Sequence, residues 1–318
     1  MKHFFLIAII VLFCSCNHSE KDLYPLHNKK VLILGNSITE NGRYVDFIEY
    51  YLRKNYPEKP LDIISVGLSS ETVSGDSEPD HGFPRPWVHN RLDNALNYTK
   101  PDLVLACYGM NDGIYSELDS TRFNNYKKGI YKLKDKVEAQ GAKIILLTPT
   151  IFDAAQKKDY LLVDSDTYSY NTPYAYYNKE VLKTYANWLL EFEDVPVIDL
   201  HSYLSKIQAE FKQIDSAFTL IPDAVHPNET GHFFMAKKIL NDLYPEISLE
   251  IDYSEVENLK EDSLYNLVRK RRHIRSKGWR DYIGYERGET VKTNDIRPTI
   301  DQVQELDKQI GDLLETLK

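Results

Sequence analysis

Two short segments at opposite ends of the sequence carry the residue types of nucleophilic acyl transfer. Ser37 follows Val31–Leu34, an apolar run of strand length, so it would sit on the turn that leaves a buried strand. Asp223 and His226 lie three residues apart before a proline. A serine hydroxyl needs an imidazole to take its proton and a carboxylate to fix the tautomer of that imidazole. We predict Ser37 as nucleophile, His226 as base and Asp223 as its orienting acid. Asp-x-x-His alone is more often a surface turn, and only its occurrence with the other segments favours catalysis.

Donors for a tetrahedral oxyanion are predicted from two further segments. Asn111 lies in a Gly-Met-Asn-Asp segment after an apolar run, and Gly67 closes another apolar run. An oxyanion needs donors aimed at the atom where charge develops. We predict the backbone N–H groups of Ser37 and Gly67 and the side-chain amide of Asn111. Gly67 considered alone is equally well explained as a simple turn glycine.

The elements that must position these residues alternate along the chain. Strand-like apolar runs lie near residues 31–34, 61–66, 103–106, 143–148 and 195–200. Helical periodicity covers 44–55, 88–97, 123–139, 174–192, 202–211 and 229–243. This alternation predicts an α/β fold with a parallel sheet. Ligands collect where loops leave the carboxyl ends of such strands, so Ser37, Gly67 and Asn111 should share one crevice.

These four blocks resemble the SGNH subgroup of GDSL esterases and lipases, whose defining Ser, Gly, Asn and His correspond to Ser37, Gly67, Asn111 and His226. The resemblance covers residues 30–245. It implies a flavodoxin-like three-layer α/β/α fold with a central five-stranded parallel sheet. It also implies an acyl-enzyme mechanism that needs no metal and no cofactor. The sequence departs from the family pattern at Asn36, where an aspartate is usual.

Five residues near these blocks are predicted to contact substrate. Asn36 and Asp112 adjoin catalytic positions, Arg85 and Trp87 lie on the loop after the second strand, and Tyr174 belongs to a segment with six tyrosines, 160–177. Tyrosine faces can stack on sugars while their hydroxyls bond to sugar oxygens. Two alternatives stay open. Arg85 and Trp87 would equally well brace their loop, and partly buried packing is the commoner role of clustered tyrosines.

The N-terminus has the pattern of an export signal. Residues 1–15 combine an early lysine with a short apolar run, and Ser15-Cys16 resembles a bacterial lipoprotein cleavage site. We predict a signal peptide at 1–15, acylation of Cys16, and a tether at 16–29. The protein would then be bound to a membrane by its lipid, as an outer-membrane or cell-surface lipoprotein of the cell envelope. The alternative is a plain secretory signal, which would make it periplasmic or secreted.

Charge and cysteine content bound the remaining choices. The formal charge is -9, which argues against nucleic acid as a partner. Cys107 lies in an apolar run and is expected to be a buried core residue. Residues 246–318 are predicted to form a mostly helical appendage, with seven Lys and Arg between Arg269 and Arg280. That basic run would pair with the acidic domain, or alternatively bind an anionic glycan or lipid headgroup.

Taken together, these features predict a serine esterase that removes small acyl groups, chiefly acetyl, from carbohydrates. An acidic, envelope-anchored esterase with a tyrosine-rich rim suits such substrates. The fold alone does not choose among substrates. The alternatives are an esterase of the lipase or lysophospholipase type, and a non-catalytic glycan-binding lipoprotein that has kept the fold.

Overall fold

A five-stranded parallel sheet forms the centre of the molecule. The structure is a computed structural model and describes residues 24–247, 249 and 253–317. The strands are β1 (Lys30–Gly35), β2 (Asp62–Ser65), β3 (Leu103–Cys107), β4 (Lys143–Leu147) and β5 (Val197–Ile198). Their order is β2-β1-β3-β4-β5, and all four neighbouring pairs are parallel. The predicted sheet is confirmed. The predicted signal peptide, Cys16 and most of the tether lie outside the described residues, so the lipid anchor stays a prediction.

Helices cover both faces of the sheet. They are α1 (Ser37–Asn41), α2 (Arg43–Asn55), α3 (Leu92–Thr99), α4 (Ser120–Ala139), α5 (Lys183–Leu189), α6 (Leu200–Ile214) and α7 (Glu229–Leu243). Shorter helical turns cover Val88–Asn90, Ala154–Tyr160 and Tyr177–Leu182. The sequence pattern missed α1 because five residues are too few to show a helical period.

Two hydrophobic clusters flank the sheet because successive strand residues point to opposite faces. Val31 and Ile33 of β1 pack into a cluster with α2, α6 and α7. Leu32 and Leu34 pack into a second cluster with α3, α4 and α5. The molecule therefore has the expected three layers. Cys107 is buried in the first cluster, and burial raises the pKa of its thiol to about 12.

The C-terminal part is mostly helical but also contains two strands. It consists of α8 (Tyr253–Leu259), α9 (Ser263–Ile283), β6 (Tyr285–Arg287), β7 (Glu289–Val291) and α10 (Arg297–Thr316). Strands β6 and β7 form an antiparallel hairpin. The mostly helical C-terminal part is confirmed, and the hairpin within it was not predicted. Three-residue strands are too short to show an alternating pattern.

The basic run of α9 pairs with acidic groups of the sheet domain. Arg272 makes two hydrogen bonds to the carboxylate of Asp46 in α2, at 2.6 and 2.8 Å. Arg271 lies 3.1 Å from Glu49, also in α2. Asp46, Glu49 and both arginines are buried. These contacts favour the first of the two interpretations of the basic run, in which it pairs with the acidic domain. The ion pairs are buried.

None of the helices within 24–247, 249 and 253–317 combines the length and apolar character needed to cross a bilayer.

Candidate active site

The predicted nucleophile, Ser37, stands at the start of α1, directly after β1. Asn36 caps this helix, its side-chain oxygen accepting the N–H of Ile38 at 3.1 Å. The turn before it is tight, because a Cβ on Gly35 would lie 2.2 Å from Oγ1 of Thr39. Asn36 is buried, which corrects its predicted role in binding substrate. Its side chain orders the turn that presents Ser37.

Ser37, His226 and Asp223 form a continuous hydrogen-bonded chain. Ser37 Oγ lies 2.8 Å from His226 Nε2, and His226 Nδ1 lies 2.7 Å from Oδ2 of Asp223. The other carboxylate oxygen accepts the backbone N–H groups of Val225 and His226, at 3.0 and 2.6 Å. A carboxylate can only accept, so Nδ1 carries the proton and Nε2 faces the serine as an acceptor. The structure therefore brings together the three predicted residues.

The Asp223 carboxylate stays ionised at every pH at which the protein would be assayed. Partial burial works to raise its pKa, but the hydrogen bonds from the His226 ring and from two backbone N–H groups outweigh burial and lower the pKa to about 2. A lowered pKa means that this group stabilises the fold above about pH 4, and that the contribution is lost as pH falls towards 2. The acidic limb of a rate profile measured above pH 4 would therefore not report Asp223.

Replacing Asp223 by asparagine is expected to lower kcat by about 10⁴-fold, less than loss of the histidine itself. An asparagine oxygen can keep the two backbone N–H bonds, but its NH₂ group facing Nδ1 favours the tautomer with the proton on Nε2. That tautomer cannot accept the proton of Ser37. Steady-state kinetics on an aryl acetate would measure the effect. A loss under tenfold would show that Asp223 does not set the tautomer.

Asn111 is fixed beside the nucleophile. Its side-chain oxygen accepts the hydroxyl of Tyr115 at 3.0 Å, and its nitrogen donates to the carbonyl of Glu71 at 3.1 Å. Asn111 is buried yet lines the same cavity as Ser37. The two bonds fix which way the amide points and use one of its two hydrogens. The second amide hydrogen can serve as the predicted oxyanion donor.

Gly67 is not among the residues that line the cavity, and its role as a donor stays a prediction. A Cβ there would lie 2.3 Å from the backbone nitrogen of Glu40, so glycine is required by close packing against α1. Ser69 and Ser70, further along the same loop, line the cavity instead. Ser70 has φ of 68°, in the left-handed region. Such strain in a residue that is not glycine concentrates at functional sites.

The cavity around Ser37 is polar. It has a volume of about 380 Å³, within the range of small-molecule sites. Its lining consists of Ser37, Ser69, Ser70, Glu78, Asp80, His81, Gly82, Arg85, Asn111, Ser169, Tyr170, Asn171, His226 and Arg287. None of these side chains is aliphatic, and Tyr170 carries the largest apolar surface among them.

Comparison with known proteins identifies the family. The sequence profile of the GDSL-like lipase/acylhydrolase family matches residues 33–233. The chain belongs to this family. The resemblance predicted from the sequence is confirmed, and the protein is an acyl ester hydrolase by family. A comparison with curated proteins gives no match.

A comparison with solved structures gives matches at low sequence identity. A gut microbial diltiazem-metabolizing enzyme superposes with a TM-score of 0.56 and 21% identity over 70% of this chain and 48% of its own length. The match thus spans about half of that enzyme. A catalytic mutant of an acetylxylan esterase from Geobacillus stearothermophilus gives a TM-score of 0.49 and 19% identity, over 70% of this chain and 96% of that one. Another acetyl xylan esterase gives a TM-score of 0.45 and 20% identity, over 67% of this chain and 98% of that one.

In this GDSL-like hydrolase, Asp112 is a structural residue, which corrects its predicted contact with substrate. The side chain is fully buried and accepts the backbone N–H groups of Val73, Ser74 and Gly109 at 2.8, 2.9 and 2.8 Å. Burial raises its pKa to about 6, although these bonds oppose the change. Asp112 ties the loop after β2 to the loop after β3, and so holds two walls of the site together.

Trp87 and Tyr174 also serve packing, which corrects two further substrate contacts. The indole N–H of Trp87 donates to the Val73 carbonyl at 3.0 Å, and the ammonium of Lys132 lies 4.3 Å from the ring centroid. The hydroxyl of Tyr174 donates to Glu180 at 2.7 Å. Neither residue lines the cavity around Ser37. Trp87 therefore braces its loop, and packing is the role of Tyr174.

Arg85 braces its loop and also lies at the cavity, and its contact with substrate stays a prediction. It forms a buried ion pair with Glu78 and also lines the cavity of the hydrolase. Its guanidinium donates to the carbonyl of Ser70 at 3.3 Å and lies 5.6 Å from the ring centroid of Tyr115. Arg85 thus braces the strained residue Ser70, and Tyr115 in turn orients Asn111.

The loop after β2 is also held by a carboxylate of α1. Glu40 accepts the backbone N–H of Ser69 at 2.6 Å and is hydrogen-bonded by the hydroxyl of the same serine. Its second oxygen lies 3.0 Å from the guanidinium of Arg280 in α9, which also donates to the Gly67 carbonyl at 3.3 Å. The C-terminal part of the hydrolase therefore supports one wall of the active site.

The cavity residues that sequence reasoning missed include Ser70, Tyr170 and Arg287. Ser70 would donate through its backbone N–H, which every residue except proline has, so its residue type does not mark it in the sequence. Tyr170 is one of six tyrosines in its segment, and only the folded structure shows that this one lines the cavity. Arg287 reaches the cavity from the C-terminal hairpin, far from Ser37 in sequence. In the part of the chain that the structure describes, no group of three or more His, Cys, Asp or Glu side chains is arranged to hold a metal ion.

Proposed function

We propose that this protein is a serine esterase that removes small acyl groups, chiefly acetyl, from carbohydrates. The observation that carries the proposal is the hydrogen-bonded chain from Ser37 Oγ to His226 Nε2, at 2.8 Å, and from His226 Nδ1 to Asp223, at 2.7 Å. This arrangement activates a serine hydroxyl at neutral pH. Family membership supports the reaction class, and the lining of the cavity supports the substrate class.

In the acylation step, Ser37 Oγ attacks the ester carbonyl while His226 Nε2 takes its proton. Negative charge then develops on the carbonyl oxygen. The available donors are the backbone N–H of Ser37, the free amide hydrogen of Asn111 and the backbone N–H of Gly67 or of Ser70. Throughout the described residues, neither the N–H of Gly67 nor that of Ser70 donates to another backbone group. Each such donor accounts for about 10²–10³-fold in kcat in comparable sites.

The intermediate collapses when His226 gives its proton to the oxygen of the leaving alcohol, which departs and leaves an acyl ester on Ser37. In the second half, water enters where the alcohol stood, and His226 takes its proton as water attacks the acyl carbon. The serine is then released as the leaving group and regains a proton from His226. The products are a carboxylic acid and the free alcohol, and the enzyme returns to its starting state.

The polar lining of the cavity favours a short acyl group and a polar alcohol. Burying a methylene group gains about 0.8 kcal/mol when apolar surface receives it, and no Ala, Val, Leu, Ile or Met side chain lines the cavity around Ser37. A fatty acyl chain would therefore gain little by entering. A sugar suits this lining, because hydroxyls and amides can bond to its oxygens and the ring of Tyr170 can stack on its apolar face.

A panel of esters tests the substrate class. With 4-nitrophenyl esters from acetate to palmitate, we expect kcat/KM to be highest for the short esters and to gain nothing from longer chains, because no aliphatic residue lines the cavity to receive the added methylenes. Acetate release from acetylated sugars should accompany the activity on short esters, and Ser37→Ala is the blank.

Two results of this panel would contradict the proposal. A rate that rises with chain length would favour the lipase or lysophospholipase alternative. If the native protein hydrolysed no member of the panel and no acetylated sugar, the non-catalytic glycan-binding alternative would replace it.

A further inference from the structure

The C-terminal hairpin brings a cation to the cavity of the catalytic serine. Arg287, the last residue of β6, lines the same cavity as Ser37 and His226. The hairpin follows α9, which lies outside the segment matched by the family profile, residues 33–233. A residue from the C-terminal part of the chain therefore contributes to the chemical environment of the reacting ester.

The guanidinium of Arg287 is exposed and unpaired. Among the ion pairs of residues 24–247, 249 and 253–317, none involves Arg287. The other arginine of the cavity, Arg85, is neutralised by its buried pair with Glu78. Arg287 thus offers five N–H donors and a full positive charge that no carboxylate of the described chain satisfies.

Packing holds Arg287 near the cavity. Its guanidinium carbon lies 5.6 Å from the ring centroid of Phe83, close enough for cation–π attraction. The hairpin itself is tied to α9 and α3, since Lys292 donates to the Ile283 carbonyl at 3.0 Å and Asn94 donates to the same carbonyl at 3.2 Å. A side chain held in this way loses less conformational entropy when it binds a ligand.

We infer that Arg287 binds a carboxylate carried by the alcohol half of the ester, so that the substrate is an acylated sugar acid. This inference rests on the proposed function, in which the acyl half is too small to carry the charge. Arginine matches the planar, two-oxygen geometry of a carboxylate. Asp80 lines the same cavity and is exposed, and its negative charge disfavours a dianion such as a phosphate monoester. Because the cavity offers one unpaired cation, Arg287, and one exposed acid, Asp80, it suits a ligand group that carries a single negative charge.

A matched pair of substrates tests the inference. We would measure kcat/KM for methyl glucoside and methyl glucuronide acetylated at the same hydroxyl, which differ in the carboxylate. We expect the native protein to prefer the acidic sugar at least tenfold. Arg287→Gln should reduce this preference at least tenfold, and Arg287→Lys should keep part of it. The preference should also weaken as salt rises, because Arg287 is exposed.

Arg269→Gln is the matched control. Arg269 is an exposed arginine of α9 that lines a different cavity from that of Ser37. This variant should keep the native preference, which would show that total charge is not the cause.

Two outcomes would overturn the inference while the proposed function stands. One is equal kcat/KM of the native protein for both sugars. The other is an equal loss on both sugars in Arg287→Gln, which would show that Arg287 only supports the hairpin. Failure of the proposed function looks different. The native protein would then cleave neither acetylated sugar, while hydrolysing long-chain 4-nitrophenyl esters or no ester at all.

Discussion

Ser37→Ala and His226→Ala are each expected to lower kcat by about 10⁶-fold, the largest effect that any single substitution should have. Ser37 supplies the attacking oxygen, and His226 Nε2, 2.8 Å away, supplies the base. Because the two act as one unit, the double variant should be hardly slower than either single variant. The measurement is kcat for an aryl acetate, with native folding of each variant checked by circular dichroism.

Matched controls separate this expectation from a general loss of structure. Ser202→Ala removes an exposed hydroxyl on α6, and His273→Ala removes an exposed imidazole on α9, neither of them at the cavity of Ser37. Both should retain native kcat within about twofold, as surface substitutions usually do. Independent losses at Ser37 and His226 that multiply in the double variant would contradict a shared role in one step.

Arg272→Met is expected to lower the free energy of unfolding by about 3–5 kcal/mol. Arg272 and Asp46 are both buried and joined by hydrogen bonds of 2.6 and 2.8 Å. Removing the arginine leaves a carboxylate without its main counter-charge in a site that water does not reach. Urea denaturation followed by fluorescence would measure the loss.

The double variant Arg272→Met with Asp46→Leu is the decisive control. Because it removes both charges, it should recover most of the lost stability. Arg297→Met breaks an exposed pair with Asp295, and should leave the free energy of unfolding almost unchanged. If the double variant is as unstable as the single one, lost packing of Arg272 and not an unpaired charge is the cause.

The pH dependence of the Arg272→Met variant has a definite sign. Burial raises the pKa of Asp46 from 3.8 to about 6, even though Arg272 opposes the rise. A folded pKa above the unfolded value means that the folded state binds more protons, so stability falls as pH rises from about 4 to 6. Without Arg272 this pKa should rise further. The variant's deficit relative to the native protein should therefore be larger at pH 8 than at pH 5.

The sequence was sufficient to predict the sheet and the catalytic chain. Strand β1 is a continuous apolar run because both of its faces are covered, and the crossover helices show clear periodicity. Ser37, Asp223 and His226 were found because nucleophilic catalysis demands particular side chains, and each stands in a short segment of its own.

The errors at the site have physical reasons. An oxyanion can be bound by any backbone N–H, so residue type does not choose between Gly67, packed against α1, and Ser70, which lines the cavity. Asp112 follows Asn111 directly, but neighbouring side chains point in different directions, and Asp112 points into the interior. Arg287 depends on the packing of a C-terminal hairpin, which no local pattern encodes.

In the proposed mechanism, Ser37 is the nucleophile that becomes acylated. Covalent trapping of this serine is the sharpest test of that role. The protein would be treated with a fluorophosphonate that reacts with activated serines, and its mass and peptides analysed. We predict one adduct per chain on the peptide containing Ser37, no adduct in Ser37→Ala and greatly slowed labelling in His226→Ala. Equal labelling of Ser37→Ala, or an adduct on a different serine of the native protein, would show that Ser37 is not the nucleophile.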